Sequence, residues 1–361
     1  MYKQSIFPAY RGFNLHYLIV DKNDTRPDWA KMVPKKLCDN ILGDMEMIAD
    51  LGFNFVRLPI NYYNLSLNYA DAKKGATPII DESYLEIIDK AVLRARELGI
   101  YTELAFHTAP GYSVLKINAD HMPYSLWFDE KAQSDFACLW GRIAERYRGE
   151  SSEMLGFNLV NEPPTDDGYV KGFTADIHKN AMMRAIDAIR KADCDRTIFA
   201  DGLSWGRIPL YNMCDVPNLV QSTRAYDPTE LTHYPSGSAV NAVWPGVVAR
   251  DICGSEDSRV AFDRKRLLDF FEEWAKISVT ENVGVHCGEG GFASSAPYDV
   301  LIKWFSDVMD ILTELGIGFG LWGFCAGRFG IMDTDRKGCE YVDYRGHRLD
   351  KKMYEIMKRG M

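Results

Sequence analysis

The chain has 361 residues, 47% hydrophobic and 26% charged, proportions of an ordinary globular protein that exclude disordered and fibrous classes. Its 42 basic and 51 acidic residues leave a formal net charge of −9, which argues against a nucleic-acid partner, because phosphate backbones are gripped by clustered Lys and Arg. No apolar run is long enough for a membrane span, and the opening MYKQSIFPAY has neither the apolar core nor the cleavage site of a leader, so a cytoplasmic location is expected unless a leader was trimmed away.

A first strand is expected near 10–15. PKKLCDNILGDMEMIADLG places Leu37, Ile41, Met45 and Ile48 at helical spacing over 36–50 and ends at Gly52, after which FNFVRLPI reads as a buried strand near 53–58. DESYLEIIDKAVLRARELG repeats the pattern over 82–98 through Leu85, Ile88, Ala91, Ala95 and Leu98, ends at Gly99, and leads into a strand near 100–106. A helix over 130–148 precedes a strand near 154–160, and a helix over 170–191 precedes one near 196–200. The helical signal after this fifth strand is weak. A sixth strand follows near 218–223, and 224–260 reads as an irregular loop rich in Pro, Gly and Trp. A helix over 261–278, a strand near 283–288, a helix over 297–315 and a strand near 318–323 complete the series. The same Leu-Gly junction closes three of the helices, at Leu51, Leu98 and Leu315, with glycine supplying the left-handed residue that lets a chain leave a helix.

Strands that are apolar on both faces and alternate with helices mean a parallel sheet covered by helices, and eight repeats favour a closed (β/α)8 TIM barrel over an open doubly wound sheet. No linker, low-complexity tract or charge run divides the chain, so residues 1–361 are expected to form a single catalytic domain. No dinucleotide fingerprint follows the first strand. The eight cysteines, Cys38, Cys138, Cys194, Cys214, Cys253, Cys287, Cys325 and Cys339, are scattered without CxxC or metal-ligand spacing, so reduced, mostly buried thiols and neither a metal nor a cofactor are expected.

Active sites of such barrels lie at the C-terminal ends of the strands. The polar residues expected there are Arg57 after FNFV, His107 after TELAF, Asn161 and Glu162 after FNLV, Arg224 and Tyr226 after LVQST, Glu289 after VGVHCG, and Trp322 inside FGLWGF. Each alone has a plain packing explanation. Together they are hard to read as packing, because two strands end in lone glutamates and burying an unpaired charge is costly. Two carboxylates suit glycoside hydrolysis: at about 5–5.5 Å apart one attacks the anomeric carbon while the other protonates the leaving oxygen, with retention, and a wider gap admits water and gives inversion. Neutral Asn161 beside Glu162 and cationic Arg57 on strand two suggest an acid role for Glu162 and an ionised Glu289.

GFNLVNEPP resembles the strand-four Asn-Glu-Pro signature of glycoside hydrolase family 5, the cellulase-like retaining enzymes of clan A. RGFNLHYL resembles that family's first strand, NFVRLPI its second-strand arginine, LAFHTAPGY its third-strand histidine, HCGEGGF its nucleophile strand and LWGF its strand-eight tryptophan, so the likeness covers nearly the whole chain. The resemblance implies a (β/α)8 fold, Glu162 as acid/base, Glu289 as nucleophile, Asn161 on the sugar 2-hydroxyl, Arg57 and Tyr226 steadying Glu289, His107 lining the −1 subsite and Trp322 flooring it. The implied substrate is a β-linked glucan or related oligosaccharide. A β-mannosidase or β-mannanase of the same mechanism is the alternative, and a non-catalytic carbohydrate-binding barrel a remote one.

One departure stands out. Where the family carries His-x-Tyr after strand six, this chain reads STRAYDP, with Arg224 in the histidine's place. Two residues apart on an extended segment, Arg224 and Tyr226 should share a face, and the guanidinium should bias whichever glutamate it approaches, Glu162 being one candidate. In the following loop, His233, Tyr234 and Trp244 are expected to contact a leaving sugar.

Overall fold

The computed structural model describes residues 5–20, 34–114, 123–165, 170–234, 242–251, 258–325 and 327–361. Its fold is a (β/α)8 barrel. The barrel strands are β1 (Arg11–Asn14), β2 (Phe55–Asn61), β3 (Tyr101–Ala109), β4 (Leu155–Asn158), β5 (Thr197–Asp201), β6 (Leu219–Ala225), β7 (Gly284–Gly290) and β8 (Gly318–Leu321). The long helices are α1 (Pro34–Asp50), α2 (Glu82–Leu98), α3 (Glu130–Arg146), α4 (Ala175–Ala192), α5 (Arg264–Glu281) and α6 (Tyr298–Glu314), with a shorter α7 (Lys351–Lys358) near the C-terminus. The chain groups into two compact units, Leu15–Ser222 and Met1–Asn14 with Thr223–Met361.

Within Leu15–Ser222, β2, β3, β4, β5 and the start of β6 run parallel in that order. The sequence reasons are local. Asp81 caps α2 by accepting from the Tyr84 backbone N–H at 3.3 Å, and Gly99 ends that helix at φ +68. Gly52 and Gly316 close α1 and α6 in the same left-handed conformation, at φ +78 and +65, so the repeated Leu-Gly junction is the turn that sends each helix into a strand. Apolar stripes on the helices then cover a sheet whose strands are buried along their length. Trp140 of α3 packs edge-on against Phe106 at 4.6 Å and stacks on Phe157 at 5.2 Å. Its indole N–H donates to the Leu159 carbonyl at 3.1 Å, and the Asn161 N–H donates to the Phe106 carbonyl at 2.9 Å. The ring cluster thus fixes the chain just as β4 delivers Asn161 and Glu162.

In the other unit, β8 lies between β1 and β7, all parallel. Trp274, Trp304, Phe305 and Phe319 are fully buried there, and α5 starts behind Asp263, whose carboxylate accepts from the Arg266 N–H at 2.9 Å.

Several expectations need correction. Strand three continues past 106 to Ala109, carrying His107 on it, and turns back into Tyr112–Ser113. The stretch 224–260 is not wholly irregular: Val247–Arg250 pairs antiparallel with Arg259–Phe262, and alternating buried and exposed residues in VVAR mark a strand with one wet face. The weak helix after β5 is a single turn, Leu203–Gly206, with Ser204 and Trp205 left-handed. A C-terminal hairpin, Tyr341–Tyr344 with His347–Asp350, was not anticipated. Of the described cysteines only Cys38 and Cys287 are buried, while Cys138 and Cys194 are exposed and Cys214, Cys325 and Cys339 lie between. Among the described residues no helix is long and apolar enough to cross a membrane.

Gly156 of β4 shows how tightly the strands are seated. A Cβ there would lie 2.5 Å from both the Phe199 ring and the Tyr101 hydroxyl. Gly156→Ala should therefore cost about 1–3 kcal/mol, the usual cost of overpacking, read from equilibrium urea unfolding. A loss below about 0.5 kcal/mol, the level of an inert surface change, would show that the site has slack.

Candidate active site

The sequence-predicted residues fall into two groups, one in each compact unit. The first is built on β2, β3, β4 and β5. Arg57 and Glu103 are direct register partners on neighbouring parallel strands, and Arg57 Nε donates to Glu103 Oε1 at 2.9 Å with both side chains 0% exposed. Arg57 Nη2 also donates to Asn158 Oδ1 at 2.8 Å and to Asn161 Oδ1 at 2.9 Å. Asn158 Nδ2 in turn donates to Asp201 Oδ1 at 2.8 Å. The second oxygen of Asp201 accepts the Glu162 backbone N–H at 2.8 Å. A continuous polar chain thus runs from Glu103 to Glu162, and each of its intermediate members is buried.

Glu162 itself has φ +48, a left-handed conformation that costs a residue other than glycine about 1–2 kcal/mol. Two anchors offset that cost: Asp201 on its N–H, and the Tyr112 hydroxyl, which donates to its carbonyl at 2.6 Å. Pro163 and Pro164 follow at once, their φ fixed by their rings, and their carbonyls accept from the Trp205 and Ser204 N–H groups at 3.0 and 3.3 Å. The carboxylate that ended an apolar run is carried on a strained backbone gripped from three sides, a pattern that clusters at functional positions. Its residue is only half-buried. His107, also half-buried, projects from the extended end of β3.

The second group is built on β6, β7 and β8. Glu289 is 3% exposed. Arg224 Nη2 lies 3.4 Å from Glu289 Oε1, and the Tyr226 hydroxyl donates to Glu289 Oε2 at 3.2 Å. Arg224 and Tyr226 therefore share a face, and the glutamate that Arg224 approaches within its unit is Glu289. A guanidinium keeps its charge at every working pH, so it favours the ionised carboxylate throughout. Cys287 is a neighbour, its thiol donating to the Glu289 carbonyl at 3.3 Å. Burial pushes this thiol far above its ordinary range despite the opposing charge of Arg224, so Cys287 stays protonated and is no competing nucleophile. Gly290 follows Glu289 because a Cβ would meet the Ala225 carbonyl at 2.8 Å and the Phe319 ring at 2.6 Å. Trp322 is half-buried, and its backbone N–H donates to the Gly290 carbonyl at 2.8 Å, which places it beside the glutamate strand.

The loop residues His233, Tyr234 and Trp244 have different surroundings. His233 packs at 5.2 Å from both Tyr226 and Phe329, so it buttresses the tyrosine that holds Glu289. Tyr234 is half-buried, and its carbonyl accepts from Arg328 at 3.1 Å. Trp244 is a correction: it is 4% exposed, and its indole N–H is spent on Asp307 of α6 at 2.8 Å, so it packs the loop onto a helix. The residues sequence reasoning missed are Glu103, Asn158, Tyr112 and Asp201. Glu103 in YTELAF and Asp201 closing TIFAD are acidic residues in apolar strand runs, the same signal that singled out Glu162.

The sequence profile described as Cellulase (glycosyl hydrolase family 5) matches residues 11–327. Endoglucanase C of Acetivibrio thermocellus is 25% identical over 318 residues, covering 81% of this chain and 86% of that protein. Cellodextrinase A of Ruminococcus flavefaciens is 28% identical over 285 residues, covering 76% and 75%. A crystal structure described as a glycoside hydrolase superposes with a TM-score of 0.82 at 30% identity, over 97% of this chain and 98% of that one.

Asp201 is the test of the first group, because it uses one oxygen on Asn158 and the other on Glu162. Asp201→Asn can accept only one of those two bonds. It should cost about 1–3 kcal/mol for the group left unsatisfied and lower kcat by about 100-fold through misplacement of Glu162. Steady-state kinetics and urea unfolding on the same preparation read both, and wild-type kcat would show that the anchor does not position the glutamate.

Proposed function

The chain belongs to glycosyl hydrolase family 5, and from that premise we propose that it cleaves β-linked glucan chains or oligosaccharides with retention, Glu289 acting as nucleophile and Glu162 as general acid/base. That it is a β-glycoside hydrolase follows from the family itself. The assignment of roles is carried by one observation, the contrast between the surroundings of the two glutamates. Glu289 is buried against a fixed cation and a phenol, the setting of an ionised and oriented nucleophile. Glu162 is half-buried and fixed through its backbone N–H and carbonyl, which steadies a carboxyl group that must both give and take a proton.

In the first step a Glu289 oxygen bonds to the anomeric carbon as the glycosidic bond breaks, and the leaving oxygen takes the proton of Glu162. In the second step Glu162 takes a proton from water as that water attacks the anomeric carbon and releases Glu289. Asn161 presents its amide to the sugar 2-hydroxyl: Arg57 occupies its carbonyl end, so the NH2 end faces away as a donor. His107 and Trp322 serve as the walls of the subsite that holds the reacting sugar. The names of the relatives, endoglucanase and cellodextrinase, support glucan over mannan. Product analysis on cello- and manno-oligosaccharides decides between them, and faster turnover of the mannosides would reverse the choice.

Glu289→Gln should lower kcat at least about 100-fold with the fold intact, since an amide of equal volume cannot attack. Retention of more than about 1% of the activity would remove Glu289 from the role. Glu162→Ala should spare glycosyl-enzyme formation from aryl β-glycosides with good leaving groups and slow its hydrolysis, so azide should restore turnover and yield the β-glycosyl azide. An α-azide, or no rescue, would contradict the assignment. For Arg224 the sign follows from charge: in Arg224→Met the protonated form of Glu289 gains ground, and the acidic limb of kcat/KM against pH should move to higher pH. An unmoved limb would mean that the ion pair does not tune the nucleophile.

A further inference from the structure

Beyond the hydrolytic residues, the unit that carries Glu289 brings together three side chains of different donor chemistry. Cys325 follows β8, Asp333 lies in the segment before the C-terminal hairpin, and His347 opens the second strand of that hairpin. One ligand atom from each lies within 4.8 Å of the other two. Asp333 Oδ2 is 2.6 Å from His347 Nδ1 and 3.7 Å from Cys325 Sγ. We infer that Cys325, Asp333 and His347 form a binding site for a single divalent cation of the zinc class.

The donor set is one thiolate, one imidazole and one carboxylate, the combination that suits a borderline-soft ion and does not suit magnesium or calcium. Metal–ligand bonds of about 2.0–2.3 Å set the tetrahedral edges at about 3.3–3.8 Å. The sulfur–oxygen separation already falls in that range, and the nitrogen–oxygen pair has to open by roughly 0.7 Å to admit the ion. The site is also braced. The Arg348 N–H donates to the other Asp333 oxygen at 2.8 Å, which fixes the carboxylate as outer hydrogen bonds do around metal ligands. The Asp333 N–H donates to the Arg348 carbonyl at 2.9 Å, holding Asp333 at φ +51. Bridges from Met332 to Cys325 and to Leu349 tie the three ligand-bearing segments together. With Asp333 and His347 side chains 31% and 37% exposed, an ion can enter and a water can take the fourth position. Binding would convert the Cys325 thiol to thiolate with release of its proton to solvent. It would also clip the segment three residues after Trp322 to the hairpin, and so stabilise the folded chain.

The probe is Co2+ added to the full chain, followed by Zn2+. The expected result is one equivalent of Co2+ with a thiolate charge-transfer band and tetrahedral visible bands, displaced by Zn2+, and a rise in melting temperature with either ion. Cys325→Ser should lose the charge-transfer band, and His347→Gln should weaken binding at least about tenfold, both variants melting close to the parent without metal. Absence of any band at millimolar Co2+ would overturn the inference. So would an unchanged spectrum and stoichiometry in both variants, which would place the ion on other groups.

Discussion

The ion pair between Arg57 and Glu103 is the interaction on which the first group of candidate site residues depends. Both side chains are fully buried, and two charges withdrawn from water cost several kcal/mol each unless their geometry and their remaining hydrogen bonds are good. Here the guanidinium donates to one side-chain oxygen each of Glu103, Asn158 and Asn161 at 2.8–2.9 Å. Such a pair contributes little net stability compared with apolar residues of the same size, yet losing one partner leaves a bare buried charge. Its benefit is specificity of position. The network forms with β2, β3, β4 and β5 in a single register, and that register sets where Asn161 and the strained backbone of Glu162 emerge.

The second group solves a different problem. In the proposed mechanism the Glu289 carboxylate must stay ionised while nearly excluded from water, and burial alone pushes the other way. Arg224 and Tyr226 supply the compensation from one strand face, with His233 and Phe329 packed behind the tyrosine. Arg224 gives the surroundings of Glu289 a charge that pH does not remove. It also holds Cys287 company in a pocket where the thiol remains neutral, so the cluster has a single anion.

Much of this was legible in the sequence, for identifiable reasons. The helices announced themselves by 3.6-residue periodicity and by the Leu-Gly junctions, whose glycines at 52, 99 and 316 are left-handed. The strands were legible as apolar runs because parallel strands are buried on both faces. Glu162 and Glu289 stood out as charges where an apolar run ends, and Arg57 as a charge inside one. What stayed hidden needed a partner in space. Glu103 carries the same mark, but its meaning depends on register with Arg57. Asp201 sits at a strand end, yet its work is done on a backbone N–H that no pattern records. A loop tryptophan such as Trp244 suggests sugar stacking, whereas its indole is committed to Asp307. The triad of Cys325, Asp333 and His347 has no spacing signature, since three separate segments contribute one ligand each.

The assignment of Glu289 as the residue that becomes bonded to the sugar is the central claim, and covalent trapping addresses it most directly. A 2-deoxy-2-fluoro-β-cellobioside with a good leaving group slows both steps and lets the glycosyl-enzyme accumulate. Intact-mass measurement should then show one added 2-deoxy-2-fluorocellobiosyl group, and peptide mapping should place it on Glu289, with no adduct in Glu289→Gln. A label on any other residue, or time-dependent turnover without an adduct, would contradict the account.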